Sequence, residues 1–326
     1  MDHQKFGWCF IGTGTLARQV AEQITASGRH RVASVCSRRF EKAKEFAEKW
    51  GAEAFENARD AVCAEGVDAV YVVTPHPSHY EMAKLALSLG KPVLCEKPFT
   101  MTAAEARELF RLAEEKQVYL AEAMWTWFAP VANRVKAWLE EGKVGEVEEV
   151  KTNFLVNVVH YAPRLTDPAL AGGALLDSTV YPVTYLYRLF GRPEKVRCTA
   201  VISGGVDLKN EIDLTFASGK TFHISAAIDA ENPDESIRII GEKGEIFADR
   251  FHYTNRAEWT GKDGSREVFE GETSMLNEFD RVAEEIRQGR KTSAFVPPEA
   301  TAEVMDILDE CRRQIGLIYP FETSLP

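Results

Sequence analysis

The stretch Gly7-Trp8-Cys9-Phe10-Ile11-Gly12-Thr13-Gly14-Thr15-Leu16-Ala17 decides how the first half of the chain folds. Residues 7–11 form a short, mostly apolar run of strand length. Gly-x-Gly-x-x-Ala follows at once, and Leu16, Ala17, Val20, Ala21 and Ile24 then recur at helical spacing. In such a turn the first glycine permits a tight reversal and the second lets a pyrophosphate approach the main chain. The small third residue brings helix and strand together, and the helix N-terminus adds partial positive charge. In isolation the pattern is equally an ordinary glycine turn. Its place in the first strand–helix unit is what points to a dinucleotide, with Gly12, Thr13, Gly14, Thr15 and Leu16 as the cradle.

Working outward, strand-like runs at 31–36, 68–74, 92–96 and 118–121 alternate with helical patterns. The helix after the second strand keeps Ala43, Phe46, Ala47 and Trp50 on one stripe and ends at Gly51. Capping boxes begin at Ser78, with Glu81, and at Thr102, with Glu105. Continuous apolar strands separated by helices predict a parallel sheet covered on both faces, so residues 1–124 read as an α/β doubly wound domain. Residues 125–326 read differently. A helix near 130–141 precedes strand-like segments at 149–158, 195–203, 211–216, 221–227, 236–240 and 244–248, with a hairpin turning at Ser218-Gly219. Further helices are expected near 178–190, 273–288 and 298–316. Strands joined by short turns predict a second, α+β domain around an antiparallel or mixed sheet.

The chain has 326 residues, with 39 Lys+Arg against 50 Asp+Glu for a net charge of −11. That acidity, without a basic stripe, argues against a nucleic-acid partner. With 45% hydrophobic residues the chain can bury a large core, yet no apolar run approaches the ~20 residues of a membrane span. Residues 1–7 lack the pattern of a secretory signal, and the six scattered cysteines read as reduced, buried thiols in a cytoplasmic protein rather than a metal or redox site. No metal is expected, because no clustered His/Cys/Glu spacing occurs.

The end of the second strand bears on which dinucleotide binds. An NAD site places Asp or Glu about 20 residues after the glycines. This chain has Ser37-Arg38-Arg39 there, a hydroxyl and two guanidinium groups suited to a 2′-phosphate, so NADP is expected over NAD.

Four further segments share one pattern: Thr74-Pro75-His76-Pro77-Ser78-His79, Cys95-Glu96-Lys97-Pro98, Glu122-Ala123-Met124-Trp125-Thr126, and Gly172-Gly173-Ala174-Leu175-Leu176-Asp177-Ser178-Thr179-Val180-Tyr181. Together they resemble the glucose–fructose oxidoreductase, inositol dehydrogenase and MocA (Gfo/Idh/MocA) family over essentially the whole chain. The Trp-Thr segment and Tyr181 look like its dihydrodiol dehydrogenase and NADP-linked xylose dehydrogenase branch. The resemblance implies an N-terminal Rossmann domain and a large, mostly antiparallel, open-faced C-terminal sheet whose strongly hydrophobic face joins subunits into a homodimer or higher homo-oligomer. It implies that Lys97 reaches the active site, with a cis Lys97-Pro98 bond. It further implies that Thr74, Pro75, His79, Glu96, Lys97 and Trp125 contact the cofactor, and that Asp177 and Tyr181 face the substrate. Relatives commonly carry Arg where this chain has Trp127, which puts the branch's substrate preference in doubt here.

The residue types fit a hydride transfer between nicotinamide and the carbinol or carbonyl carbon of a sugar, cyclic polyol or dihydrodiol. Such a transfer needs an acid/base for the hydroxyl proton and a group that stabilises the alkoxide. Tyr181 and Lys97 are both candidates for the proton carrier, with Asp177 orienting the substrate. Asp177 and Tyr181, four apart, share a face in a continuous α-helical turn that Ser178 or Thr179 can cap. Trp125 and Phe154 can wall the pocket, His160 and Tyr161 can add polar contacts, and Phe279-Asp280 can approach it. A redox-neutral lyase or glycosidase using bound nicotinamide, or a non-catalytic NADP-binding sensor, are the competing readings. A sensor has no need of Lys97 with Asp177 and Tyr181.

Overall fold

The computed structural model describes residues 5–326, so Met1–Gln4 of the stretch read for a secretory signal lie outside them. Two compact units emerge: Met1–Trp125 with Met275–Thr301, and Thr126–Ser274 with Ala302–Pro326.

In the first unit β1 (Phe6–Ile11), α1 (Thr15–Ala26), β2 (His30–Cys36), α2 (Phe40–Trp50), β3 (Glu53–Phe55), α3 (Ala58–Cys63), β4 (Ala69–Val72), α4 (His79–Ser88), β5 (Val93–Glu96), α5 (Ala103–Lys116) and β6 (Leu120–Ala123) follow in chain order. The strands form a six-stranded sheet, β3-β2-β1-β4-β5-β6, with every pair parallel. That order reverses direction at β1/β4, where doubly wound sheets bind ligands beyond their carboxyl ends. The continuous apolar strands are buried along their whole length, and α1 turns Ala17, Val20, Ala21 and Ile24 onto the sheet. At α5 the expected capping box forms: Glu105 N–H donates to Thr102 Oγ1 at 3.3 Å and Met101 N–H to Glu105 Oε2 at 3.0 Å. At Ser78 it does not form. A short 3₁₀ turn, His76–Ser78, enters α4 instead, and Ser78 makes no side-chain cap.

In the second unit α6 (Pro130–Glu140) precedes β7 (Val147–Asn157), and α7 (Val180–Phe190) precedes the strands β8 (Lys195–Ser203), β9 (Val206–Thr215), β10 (Thr221–Ala227), β11 (Asp229–Asp234), β12 (Ile237–Gly241), β13 (Gly244–Ala248), β14 (Arg256–Gly261) and β15 (Arg266–Glu270). These make a nine-stranded sheet, β15-β14-β13-β12-β7-β10-β9-β8, with β11 on β7. It is antiparallel except where β10 runs parallel to β7. The hairpin between β9 and β10 turns at Ser218-Gly219 as expected, closed by Phe216 N–H to Lys220 O at 2.9 Å. Strand alternation places Ile212, Leu214, Phe222, Ile224, Ile237, Ile239 and Ile246 in the core. The opposite face is not strongly hydrophobic. Arg197, Glu211, Asp213, His223 and Lys151 stand on it, with His223 2.7 Å from Asp213 and 2.9 Å from Glu211. The period of two gives each strand one apolar face, and the core has taken it.

The helix α8 (Leu276–Arg287) departs from the expected division, which placed all of 125–326 in the second domain. Its Phe279 is fully buried 4.7 Å from Trp8 and 5.0 Å from Tyr71, centroid to centroid, and Asp280 accepts from Arg29 at 2.8 Å. Phe279 therefore builds the first unit's core, and Asp280 is held at its edge by Arg29. The end of α8 and the chain after it tie in further: Tyr119 OH donates to Glu285 at 2.6 Å, and Thr301 Oγ1 donates to Glu122 at 2.9 Å. The last helix, α9 (Pro298–Ile315), begins within this segment and continues in the second unit.

Burial pushes the Glu122 carboxyl up to about 7, against ~4.3 in an unfolded chain. Between those values the folded chain keeps a proton that the unfolded chain has lost. Stability from this group is therefore lost as pH rises through the window and is level above it. Glu122→Gln is expected to gain stability relative to the native residue on going from pH 5 to pH 8, by on the order of 2–3 kcal/mol. Urea midpoints at both pH values measure this, and an equal difference at the two would remove the buried acid as its source.

Candidate functional site

The glycine loop joins β1 to α1 at the carboxyl edge of the parallel sheet. Gly12 has φ +122°, and a Cβ there would lie 2.4 Å from Val73 O, so only glycine fits between the two strand ends. A Cβ on Gly14 would meet no protein atom within 4 Å. Helix α1 carries neither a side-chain cap nor an acidic residue in its first turn. An open surface over bare helix N–H groups suits a pyrophosphate. Thr13 Oγ1 donates to Ser37 Oγ at 3.2 Å, which ties the loop to the end of β2. Arg38 and Arg39 follow, both exposed and neither in an ion pair among the described residues.

Thr74, just after β4, keeps a buried Oγ1 with no hydrogen-bond partner among the described residues. Beside it His79 is fully buried, its Nε2 2.9 Å from Thr74 O and its Nδ1 2.8 Å from Pro98 O. His79, expected to contact a cofactor, holds together the chain segments that follow β4 and β5. Its two ring nitrogens address main-chain oxygens. The Lys97-Pro98 bond is cis, as the resemblance implies. Tyr71 OH donates to Glu96 Oε1 at 2.5 Å, and Lys97 N–H donates to Glu96 Oε2 at 3.2 Å. Glu96 is thereby fixed from below, and the half-exposed Lys97 leaves the end of β5 in one direction. Pro75 follows Thr74 in extended conformation, and Trp125 is half-buried at the start of a 3₁₀ turn, Trp125–Phe128.

In the second unit the Gly172-to-Tyr181 segment does not form one continuous α-helical turn. Leu175–Thr179 widens into a π turn before α7, and Thr179 Oγ1 donates to Ala174 O five residues back, at 3.1 Å. Neither Ser178 nor Thr179 caps the helix, because the chain is already helical when it reaches them. The step from Asp177 to Tyr181 therefore crosses from the π turn into α7. Asp177 is nine-tenths buried and accepts from Arg164 Nη2 at 2.7 Å. Tyr181 is half-buried, stacked on Phe154 at 5.4 Å and 5°, with the His252 ring 5.0 Å away. Sequence reasoning found Phe154, Asp177 and Tyr181 and missed Arg164 and His252. His160 and Tyr161 are exposed, Tyr161 at 74%, so neither is held against the others. Trp127 is buried in the core, and the Arg188 guanidinium lies 4.3 Å from its ring. Burial lowers the pKa of Arg188 to about 10. A cation is thus present beside residue 127, supplied from α7.

Comparison with known proteins follows the same division. A family model described as an oxidoreductase family with NAD-binding Rossmann fold matches residues 6–124, and a Gfo/Idh/MocA C-terminal domain model matches 132–247. The trans-1,2-dihydrobenzene-1,2-diol dehydrogenase of Mus musculus is 31% identical over 96% of this chain and 98% of its own. The D-xylose 1-dehydrogenase (NADP(+)) of Hypocrea jecorina is 30% identical over 96% of this chain and 93% of its own. In fold the chain is similar to a 3-ketoreductase from Actinomadura kijaniata solved with NADP. That match has a TM-score of 0.86 and 24% identity, over 96% of this chain and 98% of that one.

The two loop glycines separate packing from binding. Gly12→Ala is expected to lower both the thermal midpoint and dinucleotide affinity, because its Cβ meets Val73 O. Gly14→Ala is expected to keep the midpoint while weakening affinity at least about tenfold, ~1.4 kcal/mol, because its methyl enters the space a pyrophosphate needs. Thermal unfolding beside a fluorescence titration measures both, and unchanged affinity in Gly14→Ala would sink the cradle.

Proposed function

The chain belongs to the Gfo/Idh/MocA family of oxidoreductases, and on that footing we propose that it is an NADP-dependent dehydrogenase or reductase. It acts between a carbinol and a carbonyl carbon of a sugar, cyclic polyol or dihydrodiol. The observation that carries the cofactor preference is the end of β2. Ser37 is bonded to the glycine loop, two guanidinium groups stand exposed beside it, and no carboxylate occupies the place a ribose 2′-hydroxyl would need. The glycine loop holds the pyrophosphate, and the segments after β4 and β5 flank the nicotinamide half. When bound, the nicotinamide supplies the hydride acceptor or donor.

The protein's own part is the proton and the charge. Tyr181 exchanges the substrate hydroxyl proton, its ring held by Phe154. Lys97 stabilises the developing alkoxide. Asp177 orients the substrate from a buried carboxylate, and Trp125 and Phe154 give the site apolar walls. We also read the protein as cytoplasmic and as a homo-oligomer joined through the outer face of the nine-stranded sheet. In support, no helix of the described residues is long and apolar enough to cross a membrane, and strands of that face are exposed.

Fluorescence titration with NADPH and NADH, followed by assays on aldoses, inositols and diols, tests this reading. NADPH is expected to bind more tightly. Arg38→Ala with Arg39→Ala should weaken NADPH by roughly 10–100-fold, the loss of one or two charge-assisted hydrogen bonds, and leave NADH little changed. A native preference for NADH would overturn the assignment. Lys97→Met and Tyr181→Phe should each lower kcat by about 10²–10⁴ while still binding NADPH. Near-native turnover in Tyr181→Phe would transfer the proton to Lys97.

A further inference from the structure

Arg164, which lies outside every motif read from the sequence, is brought by the fold onto Asp177, which lies inside one. Arg164 sits in a 3₁₀ turn, Pro163–Thr166. The next residue, Leu165, is buried in a small apolar cluster with Ala174 and Ile228. Leu165 O accepts the Gly173 N–H at 2.8 Å. A Cβ on Gly172 would lie 2.5 Å from Leu165 O and 2.9 Å from Arg164 O. A Cβ on Gly173, at φ +113°, would lie 2.2 Å from the buried Asp207 carboxylate. Asp207 in turn accepts the Leu175 N–H at 2.8 Å, at the head of the π turn that carries Asp177. Gly172-Gly173 therefore serves as the seat on which the Arg164 turn rests, within reach of Asp177 for the Arg164 side chain.

What the pair exposes is unequal. The Asp177 side chain is 12% exposed and the Arg164 side chain 49%. A guanidinium has five N–H donors, and one nitrogen here faces the carboxylate at 2.7 Å. The pair offers an outward donor fork beside an acceptor, with its charge already balanced. An anionic substrate group would have to compete with Asp177 for the cation, whereas two adjacent neutral hydroxyls can donate to the carboxylate and accept from the fork together.

We propose that Arg164 is a specificity-determining residue, which with Asp177 reads a pair of adjacent hydroxyls on a neutral, polyhydroxylated substrate. This rests on the function proposed above and names the substrate feature that the second unit selects. A simple apolar diol, whose only hydroxyls are those at the reacting end, makes little use of the pair. An aldose or inositol makes full use of it.

The test compares Arg164→Ala, Arg164→Lys and the native enzyme, each with NADP, on an aldose or inositol and on a simple cyclic diol. Arg164→Ala is expected to lower kcat/KM for the polyhydroxylated substrate at least tenfold, carried mainly by KM, and to lower it for the simple diol less than threefold. Arg164→Lys keeps the charge without the fork, and should recover only part of the loss. NADPH affinity and the thermal midpoint, read on the same samples, exclude a folding defect as the cause. Equal losses on both substrates, full recovery by lysine, or a gain for a carboxylated sugar over its neutral form in the native enzyme would each overturn the assignment. A native enzyme that turns over neither class would overturn the proposed function itself, a result distinct from turnover that is indifferent to Arg164.

Discussion

A Cβ at residue 12 would lie 2.4 Å from one carbonyl oxygen, and a Cβ at residue 172 would lie 2.5 Å from another. In both, a Cβ fixed by its own backbone would press on a main-chain oxygen, so no rotamer change could relieve the contact. In the first unit this approach lets the end of β1 reach the end of β4, where the sheet order reverses and the cradle for a dinucleotide opens. In the second it lets the Arg164 turn lie on the segment that leads to Asp177 and Tyr181. Chemistry-bearing side chains in both units are thus placed by a missing side chain next to them. Glycine here is a packing requirement first and a source of conformational freedom second.

Buried acids supply the complementary rigidity. Tyr71 reaches Glu96 from the strand beside it, and Glu96 accepts the Lys97 N–H, so Lys97 departs from a carboxylate gripped on two sides. In the second unit burial raises the Asp207 carboxyl to about 7, while Asn210 at 2.9 Å and the Leu175 N–H at 2.8 Å occupy its Oδ2. Its Oδ1 is buried with no hydrogen-bond partner among the described residues, so the acid is held through Oδ2 alone, and that oxygen fixes the backbone that donates to it. The π turn before α7 is anchored in this way, with Thr179 bonded to Asn210 at 3.1 Å. Each unit therefore pins its candidate catalytic segment to an acid that is itself held by short polar contacts.

Local signals carried much of this fold. The glycine loop, the period of the first-half strands, the Thr102 box and the Ser218-Gly219 turn depend on residues within a few positions of each other, and all four formed. Features decided by distant partners were not legible. Nothing within α8 says that Phe279 will bury itself against Trp8 and Tyr71, some 200 or more residues earlier in the chain. The amphipathic pattern fixes that it packs and leaves open against what. Ser78 has the capping sequence, but the preceding Pro75-His76-Pro77 run already curls into a 3₁₀ turn and takes the helix entrance from it. Arg164 precedes Asp177 by a spacing that no helix or strand period favours.

The arginines also show why net charge was a poor guide to ligands. The chain carries −11 overall, yet its exposed cations differ in what surrounds them. Arg38 and Arg39 stand beside a hydroxyl with no ion-pair partner among the described residues, so their field is available to a phosphate. Arg164 has Asp177 at 2.7 Å, so most of its field is cancelled locally and what it offers is geometry. Arg188 is half-buried with its guanidinium over the buried Trp127 ring, where it serves packing. Three guanidinium environments, uncompensated, compensated and stacked on a ring, therefore correspond to three physical tasks: neutralising an anion, orienting neutral hydroxyls, and packing against an aromatic side chain. Composition counts all of them alike, and only their immediate partners tell them apart.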